Sequence, residues 1–496
     1  MGKISTSLPD ASIALDRSST MALHRQLYDQ LRNAILSGRL APGTRLLSTR
    51  EMAEELGIAR NTVMNAFDQL HAESYLERRI GDGTYVSRQL PDDLLRAKIA
   101  RVTWKGAKRT GASISRWGAV AAASSIGPAE HKGRPRPFRT STPALDAFPY
   151  QLWGRLLAKR WNTSGREMLP YGDSAGHKPL RRAIASYLST MRGVRCVPDQ
   201  VIVTSGSQHA LELLSKVLLN PEDEVWIEDP GFLGARAAFR SVGARMIPVP
   251  IDHEGINVRA GIERQPNPRL MYVTPSHQYP LGMTLTLSRR LALLEVASKA
   301  GAWIIEDDYD SEFRYAGRPL AALQGLDTEQ RVIYVGTLSK ILFPSIRIGY
   351  IIAPPDLFDP LVRARSLAGH QSPTLEQAVL ADFFEEGHFA RHIRRMRALY
   401  AERQRALVKA AKQELNEVLD VKPNGAGMHL IGWLPKGVDD RAASAAAFAS
   451  GVEVTPLSLY SLEPQPRGAL RLGYTGYTPR EIWHGAGRLA EALRRS

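Results

Sequence analysis

The chain has 496 residues, 44% hydrophobic and 23% charged, with 65 Lys and Arg against 50 Asp and Glu for a formal net charge of +15. That length exceeds what one hydrophobic core serves, so two or three domains are expected, and the basic balance favours a polyanionic partner without identifying it. A disulfide-stapled scaffold is excluded because Cys196 is the only cysteine, and a membrane-inserted chain is not expected because no apolar run approaches about 18 residues.

Residues 1–20, beginning MGKISTSLPD, have no apolar centre of a signal peptide and read as a flexible polar tail, disordered or loosely docked, which with the lone cysteine points to a reducing cytoplasm. Over 22–36 the apolar residues Leu23, Leu27, Leu31, Ala34 and Ile35 recur with helical period, and Gly38 closes the helix. Ser48 or Thr49 caps a second helix over 50–56 with Glu51 in its first turn, and Gly57 supplies the tight turn of a helix-turn-helix. A third helix, 61–73, carries Val63, Ala66, Phe67 and Leu70 on one face. At its start Arg60, Asn61 and Thr62 stand where a recognition helix meets base edges and phosphates. Strands at 75–77 and 84–86 flank a turn at 80–83. Three helices and a two-stranded wing predict a winged helix-turn-helix over 21–88, with double-stranded DNA as its partner. A module for protein contacts is the alternative, and the arginines and wing argue against it.

From 89 to 139 the hydrophobic periodicity lapses. Basic residues from Arg96 to Arg116 give way to an Ala, Ser and Gly stretch and then to Lys132, Arg134 and Arg136 among prolines. This reads as an extended basic linker, with a short helix near 94–102, whose charge either adds salt-sensitive attraction to DNA or keeps the spacer solvated. Such a linker is long enough to cross a dimer. From 140 to 496 helices and apolar strands alternate as in an α/β domain with a mostly parallel sheet. A large part spans 140–375, and a helical stretch over 376–413 leads into a smaller C-terminal part.

Within that domain several strand ends carry polar groups. The strand at 201–203 runs into TSGSQ and a helix, an anion site that assigns the amides of Ser207 and Gln208 to a phosphate. A strand over 303–305 ends in the acids Glu306, Asp307 and Asp308 and then Tyr309, where open α/β sheets bind ligands. Alternation puts Asp307 on the face of Tyr309 and Asp308 on the other. Two apolar runs enclose Thr337, Ser339, Lys340 and Arg347. A lysine at the edge of a core is desolvated and nucleophilic toward carbonyls, small hydroxyls and an arginine suit a phosphate, and a carboxylate suits a protonated ring nitrogen. One ligand with an aldehyde and a phosphate is pyridoxal 5'-phosphate, held by its lysine as a Schiff base.

The segments DDYD, then SKILFPSIRIG, resemble fold-type I pyridoxal-phosphate enzymes of the aspartate aminotransferase class. LYDQLRNAILSGRLAPGTRL, STREMAEELGIARNTV and GDGTYV resemble the GntR family, and the two together resemble its MocR group of bacterial transcription regulators, from about Ala22 to the C-terminus apart from the linker. The resemblance implies DNA contacts by Arg50, Arg60, Asn61, Thr62 and Gly83. It implies Phe232 on the pyridine face, Asp307 at the ring nitrogen, Tyr309 at the ring oxygen, Lys340 on the aldehyde, and Thr337 and Arg347 on the phosphate. Tyr171 would reach the phosphate of a neighbouring subunit, and Arg471 would clamp a carboxylate. Two departures in the reader are Leu47 where Pro is usual and Ala59 where Ser or Thr often precedes the arginine. A third is SHQYP, with Tyr279 where aminotransferases carry an Asn before Pro, which shifts the group at the ring oxygen to His277 or Gln278 and matches the MocR pattern.

The sequence thus points to a regulator that reads an operator and senses pyridoxal phosphate, an amino compound, or both, through a lysine-linked cofactor in an aminotransferase-like homodimer. An active aminotransferase with a DNA-binding appendage, and a DNA-binding protein with a cofactor-free dimerisation scaffold, are the alternatives.

Overall fold

The computed structural model describes residues 13–79, 81–90, 114–123, 136–315 and 321–495. The chain divides into two units, 1–113 and 114–496.

In the first unit α1 (Leu23–Leu36), α2 (Thr49–Leu56) and α3 (Arg60–Ala72) precede the antiparallel strands β1 (Leu76–Arg79) and β2 (Gly83–Val86), with Glu77 opposite Tyr85. Ser48 is the cap of α2: its hydroxyl accepts from Glu51 N–H at 3.2 Å, and the Glu51 carboxylate accepts from Ser48 N–H at 2.9 Å. This reciprocal box satisfies two amides that a helix start leaves open. Leu27, Leu31, Val63, Phe67 and Leu70 are buried in one core. Of the tail expected over 1–20 to be disordered or loosely docked, the described residues 13–20 are docked. Ile13 and Leu15 pack on this core, Gln26 bonds both Asp16 N–H and Asp16 O at 2.9 Å, and Arg17 Nη2 donates to Gly57 O at 2.6 Å. Only tertiary packing gives those isolated apolar residues a groove to enter. Ile80 and the helix expected near 94–102 lie outside the described residues.

The second unit is built on an eight-stranded sheet. Its strands are β3 (Val201–Thr204), β4 (Glu224–Asp229), β5 (Arg245–Asp252), β6 (Gly255–Ile256), β7 (Leu270–Val273), β8 (Trp303–Asp308), β9 (Val332–Thr337) and β10 (Gly349–Ile352). They lie in the order β3-β10-β9-β8-β7-β4-β5-β6. Strands β9, β8, β7, β4 and β5 are mutually parallel, while β10 is antiparallel to both its neighbours. Near-continuous apolar runs such as Ile304 and Ile305, fully buried, are what a sheet covered on both faces demands. A smaller antiparallel sheet follows, ordered β11 (Asp420–Val421), β12 (His429–Trp433), β14 (Ala469–Gly473), β13 (Thr455–Pro456).

Two sequence expectations need correction here. The helical stretch over 376–413, whose internal break was not anticipated, is two helices, Thr374–Glu385 and His388–Ala410, separated at Gly387 with a φ of 71°. The linker expected over 89–139 contains the helix Arg116–Ala123, packed against the helix Leu233–Ser241, and its last residues belong to the second unit, where Phe138 is fully buried. Among the described residues no helix is long and apolar enough to cross a membrane.

Candidate functional site

A cavity of about 630 Å³ opens beside the carboxyl ends of the parallel strands, where ligands of open α/β sheets bind. β9 and the loop after it bring Thr337, Ser339 and Lys340 to its wall, β8 and its exit bring Asp307 and Tyr309, and β14 brings Arg471. Ser207 and Gln208, the first residues of the helix Ser207–Leu218, line the same cavity, as does Phe232.

The anion end is formed by backbone. Gly206, at φ 97°, precedes that helix and supplies no capping side chain, so the first-turn amides keep their donor capacity. Arg347 lies in the left-handed region at φ 47° and donates from Nη2 to Ser205 O at 3.1 Å, with its guanidinium over Gly206. Gly349 is required for this approach: a Cβ there would come within 2.9 Å of Ser207 N.

At the other end Asp307 Oδ2 accepts from the Tyr272 hydroxyl at 2.7 Å. Its Oδ1 is buried and has no hydrogen-bond partner among the described residues. Burial, reinforced by Asp308 and Asp310, pushes the Asp307 carboxyl up to about 7 against the Tyr272 hydrogen bond. Asp308 points to the opposite face, taking Arg192 Nε at 3.0 Å and the Ser311 hydroxyl at 2.8 Å. Burial first, then Arg471 and Arg347, pushes the Lys340 amine down to about 8. Arg471 donates from Nη1 to the Tyr279 hydroxyl and from Nη2 to Thr140 Oγ1, with the rings of Tyr279 and Tyr460 at 4.7 and 5.0 Å from its guanidinium carbon.

Lys340, Ser207, Gln208, Phe232, Asp307, Tyr309, Thr337, Arg347 and Arg471 are therefore brought together around one cavity. His277 and Gln278 are not among its lining residues, which corrects their expected place at the ring oxygen. His277 sits one layer behind, its Nδ1 2.9 Å from the Tyr309 hydroxyl and 3.1 Å from Asp310 Oδ2. Gln278 Nε2 is spent on Pro230 O at 2.9 Å and Tyr279 O at 2.7 Å, holding the loop rather than facing the cavity. Tyr171 is 89% exposed and outside the cavity of its own chain. Sequence reasoning missed Tyr272, Tyr460 and Thr140. Tyr272 sits in the apolar run LMYV and reads as core, and the other two lie far along the chain. Tyr279 was named only as a departure, although its hydroxyl is the group that faces Arg471.

In the first unit Arg50, Arg60, Asn61 and Gly83 are exposed and Thr62 is half-buried. Ala59, the residue before α3, offers no side-chain cap, so the amides of Arg60 and Asn61 are not taken by one. Arg60 Nε lies 3.4 Å from Thr49 Oγ1, tying the two helices of the motif. Arg45, exposed, stands against the wing: a Cβ on Gly83 would come within 3.1 Å of its Nε.

Pyridoxal phosphate fits the second unit's residues. The unpartnered Asp307 oxygen suits a ring N–H, the lysine with its lowered value suits an aldehyde, and the Gly206 cradle with Arg347 suits a phosphate. The model of aminotransferase class I and II matches residues 148–489, and that of bacterial regulatory proteins of the gntR family matches 23–86. A "Probable rhizopine catabolism regulatory protein MocR" of Rhizobium meliloti is 43% identical, covering 97% of this chain and 96% of that one. A kynurenine aminotransferase of Pyrococcus horikoshii, solved with PMP, superposes with a TM-score of 0.68 at 30% identity, covering 73% of this chain and 92% of that one. LysN, an alpha-aminoadipate aminotransferase of Thermus thermophilus solved with N-(5'-phosphopyridoxyl)-L-leucine, gives 0.67 at 31% identity, covering 72% and 92%. The chain belongs to the aminotransferase class I and II family and, with a gntR-type reader ahead of that fold, is a pyridoxal-phosphate-dependent DNA-binding transcription regulator of the MocR type.

Proposed function

We propose that the second unit senses an amino compound, or pyridoxal phosphate itself, and that its state sets how the chain engages an operator in the cytoplasm. One observation carries this: Lys340, the unpartnered Asp307 oxygen and Arg471 face one cavity in a chain that also holds a winged helix. Bound there, pyridoxal phosphate supplies an electrophilic aldehyde and, with its nitrogen protonated, an electron sink.

The chain's own residues do the rest. Lys340, with its amine near 8, keeps an uncharged fraction at neutral pH, which makes it the nucleophile and a proton carrier at Nζ. Asp307 Oδ1 holds the ring nitrogen's proton, and Tyr272 fixes the other oxygen. Tyr309, steadied by His277, orients its hydroxyl at the ring oxygen. Ser207, Gln208, Thr337 and Arg347 hold the phosphate, Phe232 covers a ring face, and Arg471 receives a carboxylate. The exposed Tyr171 fits a homodimer in which it reaches the partner subunit's phosphate site, and the linker permits the reader of one subunit to serve beside the other's sensor. Arg50, Arg60, Asn61, Thr62 and Gly83 contact DNA, Arg60 and Asn61 at base edges.

The test is the visible spectrum of the purified protein beside Lys340→Ala, titrated with pyridoxal phosphate and then with amines. A band present in the wild type, lost in the variant and shifted by an amine is expected. No band after added cofactor overturns the assignment. Lys340 and Arg471 also suit an active aminotransferase, and sustained turnover with a keto acid would establish that reading instead.

A further inference from the structure

Residues 136–142, through which the chain enters the second unit, supply part of the cavity wall. Pro137 O accepts from Glu453 N–H at 2.9 Å and Phe138 O from Gly473 N–H at 2.9 Å, so the segment lies along the small sheet. Arg139 Nε donates to both oxygens of Glu453, at 2.9 and 2.8 Å, and Thr142 O accepts from the Thr475 hydroxyl at 2.6 Å. The fit is close: a Cβ at Gly473 would stand 2.4 Å from Arg139 O. Phe138 at φ 70° and Ser141 at φ 64° hold left-handed backbone, which residues with a side chain keep only when their surroundings enforce it.

Between those two strained positions, Thr140 Oγ1 accepts from Arg471 Nη2, while Arg471 Nη1 goes to the Tyr279 hydroxyl. Both terminal nitrogens of a buried guanidinium are thus turned to neutral oxygens. A planar oxyanion is a stronger, bidentate acceptor for the same fork.

We propose that residues 136–142 are an effector-responsive segment: an oxyanion on the effector takes Arg471 from Thr140, loosens the segment at the cavity wall and so changes operator affinity. This rests on the reading of the second unit as an amine sensor. Once Thr140 lets go, the left-handed backbone at the adjoining Ser141 is free to relax, while Arg139–Glu453, Arg136 Nη1 donating to Phe448 O at 2.8 Å and the buried Phe138 ring still hold the start of the segment. Upstream of residue 136 the next described residues, 114–123, pack on the helix Leu233–Ser241 of the same unit, so the coupling is read at the operator and not traced along the chain. A purely structural Thr140 would contribute local stability, and its loss would leave operator affinity where it was.

The experiment uses the full chain saturated with pyridoxal phosphate and no amine, and a duplex selected by the wild type from a random pool. Thr140→Val removes the hydroxyl at nearly constant volume and should shift operator affinity by about fivefold or more, the low end of ordinary allosteric coupling. Thr140→Ser, which keeps the hydroxyl, should restore the wild-type value, and hydrogen exchange at the Glu453 and Gly473 amides should quicken in the valine variant and not in the serine variant. Glu453→Gln, which weakens the other anchor, should move affinity in the same direction and carries the test if the valine variant fails to fold. Equal operator affinity in wild type and variants, with the visible band intact in all of them, overturns the segment's role and leaves the sensor standing. Absence of the band in the wild type overturns the sensor and the segment's role together.

Discussion

Asp307→Asn should act in opposite directions on the cofactor-free and cofactor-bound protein. Without cofactor, the buried carboxyl has moved from its ordinary value of 3.8 to about 7, so its ionisation opposes folding by about 4 kcal/mol at pH 8. The sign follows from proton counting. Between about 4 and 7 the folded chain holds a proton that the unfolded chain has lost, so stability falls as pH rises through that window. Asparagine keeps the volume and an acceptor for Tyr272 and cannot ionise. The cofactor-free variant should therefore melt higher than the wild type at pH 8, with the gain shrinking to about 2 kcal/mol by pH 5.5. With pyridoxal phosphate the variant loses the charged partner of the ring nitrogen, a hydrogen bond to a charged group worth about 1.5–3 kcal/mol, so the cofactor should bind about 10- to 100-fold more weakly. Thermal melts at the two pH values and an absorbance titration measure both halves. Lower stability of the cofactor-free variant at pH 8, or unchanged cofactor affinity, would refute this account of Asp307.

The Lys340 amine, lowered to about 8, should make cofactor uptake by the cofactor-free protein rise with pH and level off above about 8, followed by stopped-flow absorbance. The same shift adds stability as pH climbs from about 8 to about 10.5, because there the unfolded chain binds the proton and the folded chain does not. Gly349→Ala places a Cβ against the Gly206 and Ser207 backbone and should destabilise the second unit by about 1–3 kcal/mol, with faster cofactor loss on dialysis. Arg60→Ala should cost about 1–3 kcal/mol of operator binding and relax specificity at one base pair, whereas a uniform loss with a reduced salt slope in binding titrations would place Arg60 on phosphate instead.

Local chemistry explains most of what was legible beforehand. Helical period locates α1 to α3 because one amphipathic face marks each helix, and in α2 the Ser48–Glu51 box marks the start as well. Lys340, Asp307 and the Ser207 turn were legible because a polar residue at the end of an apolar strand has few purposes other than a site. Strand alternation favoured Asp307 over Asp308 without settling the choice, and the fold sends Asp307 to the cavity wall and Asp308 toward Arg192. Gly387 escaped notice because the residues on either side carry a continuous helical pattern, and only its left-handed backbone breaks it.

What the sequence by itself determined is the order of parts and the chemistry of the strand ends, both consequences of short-range periodicity and side-chain type. Tertiary structure alone decided which polar groups share the cavity. His277 and Gln278 lie beside the site in sequence, yet satisfy Tyr309 and the loop backbone from behind it. Thr140, Tyr272 and the pair Tyr460 and Arg471 come from three distant stretches and line one cavity only through the tertiary fold. Contacts of that range depend on packing that no local pattern encodes.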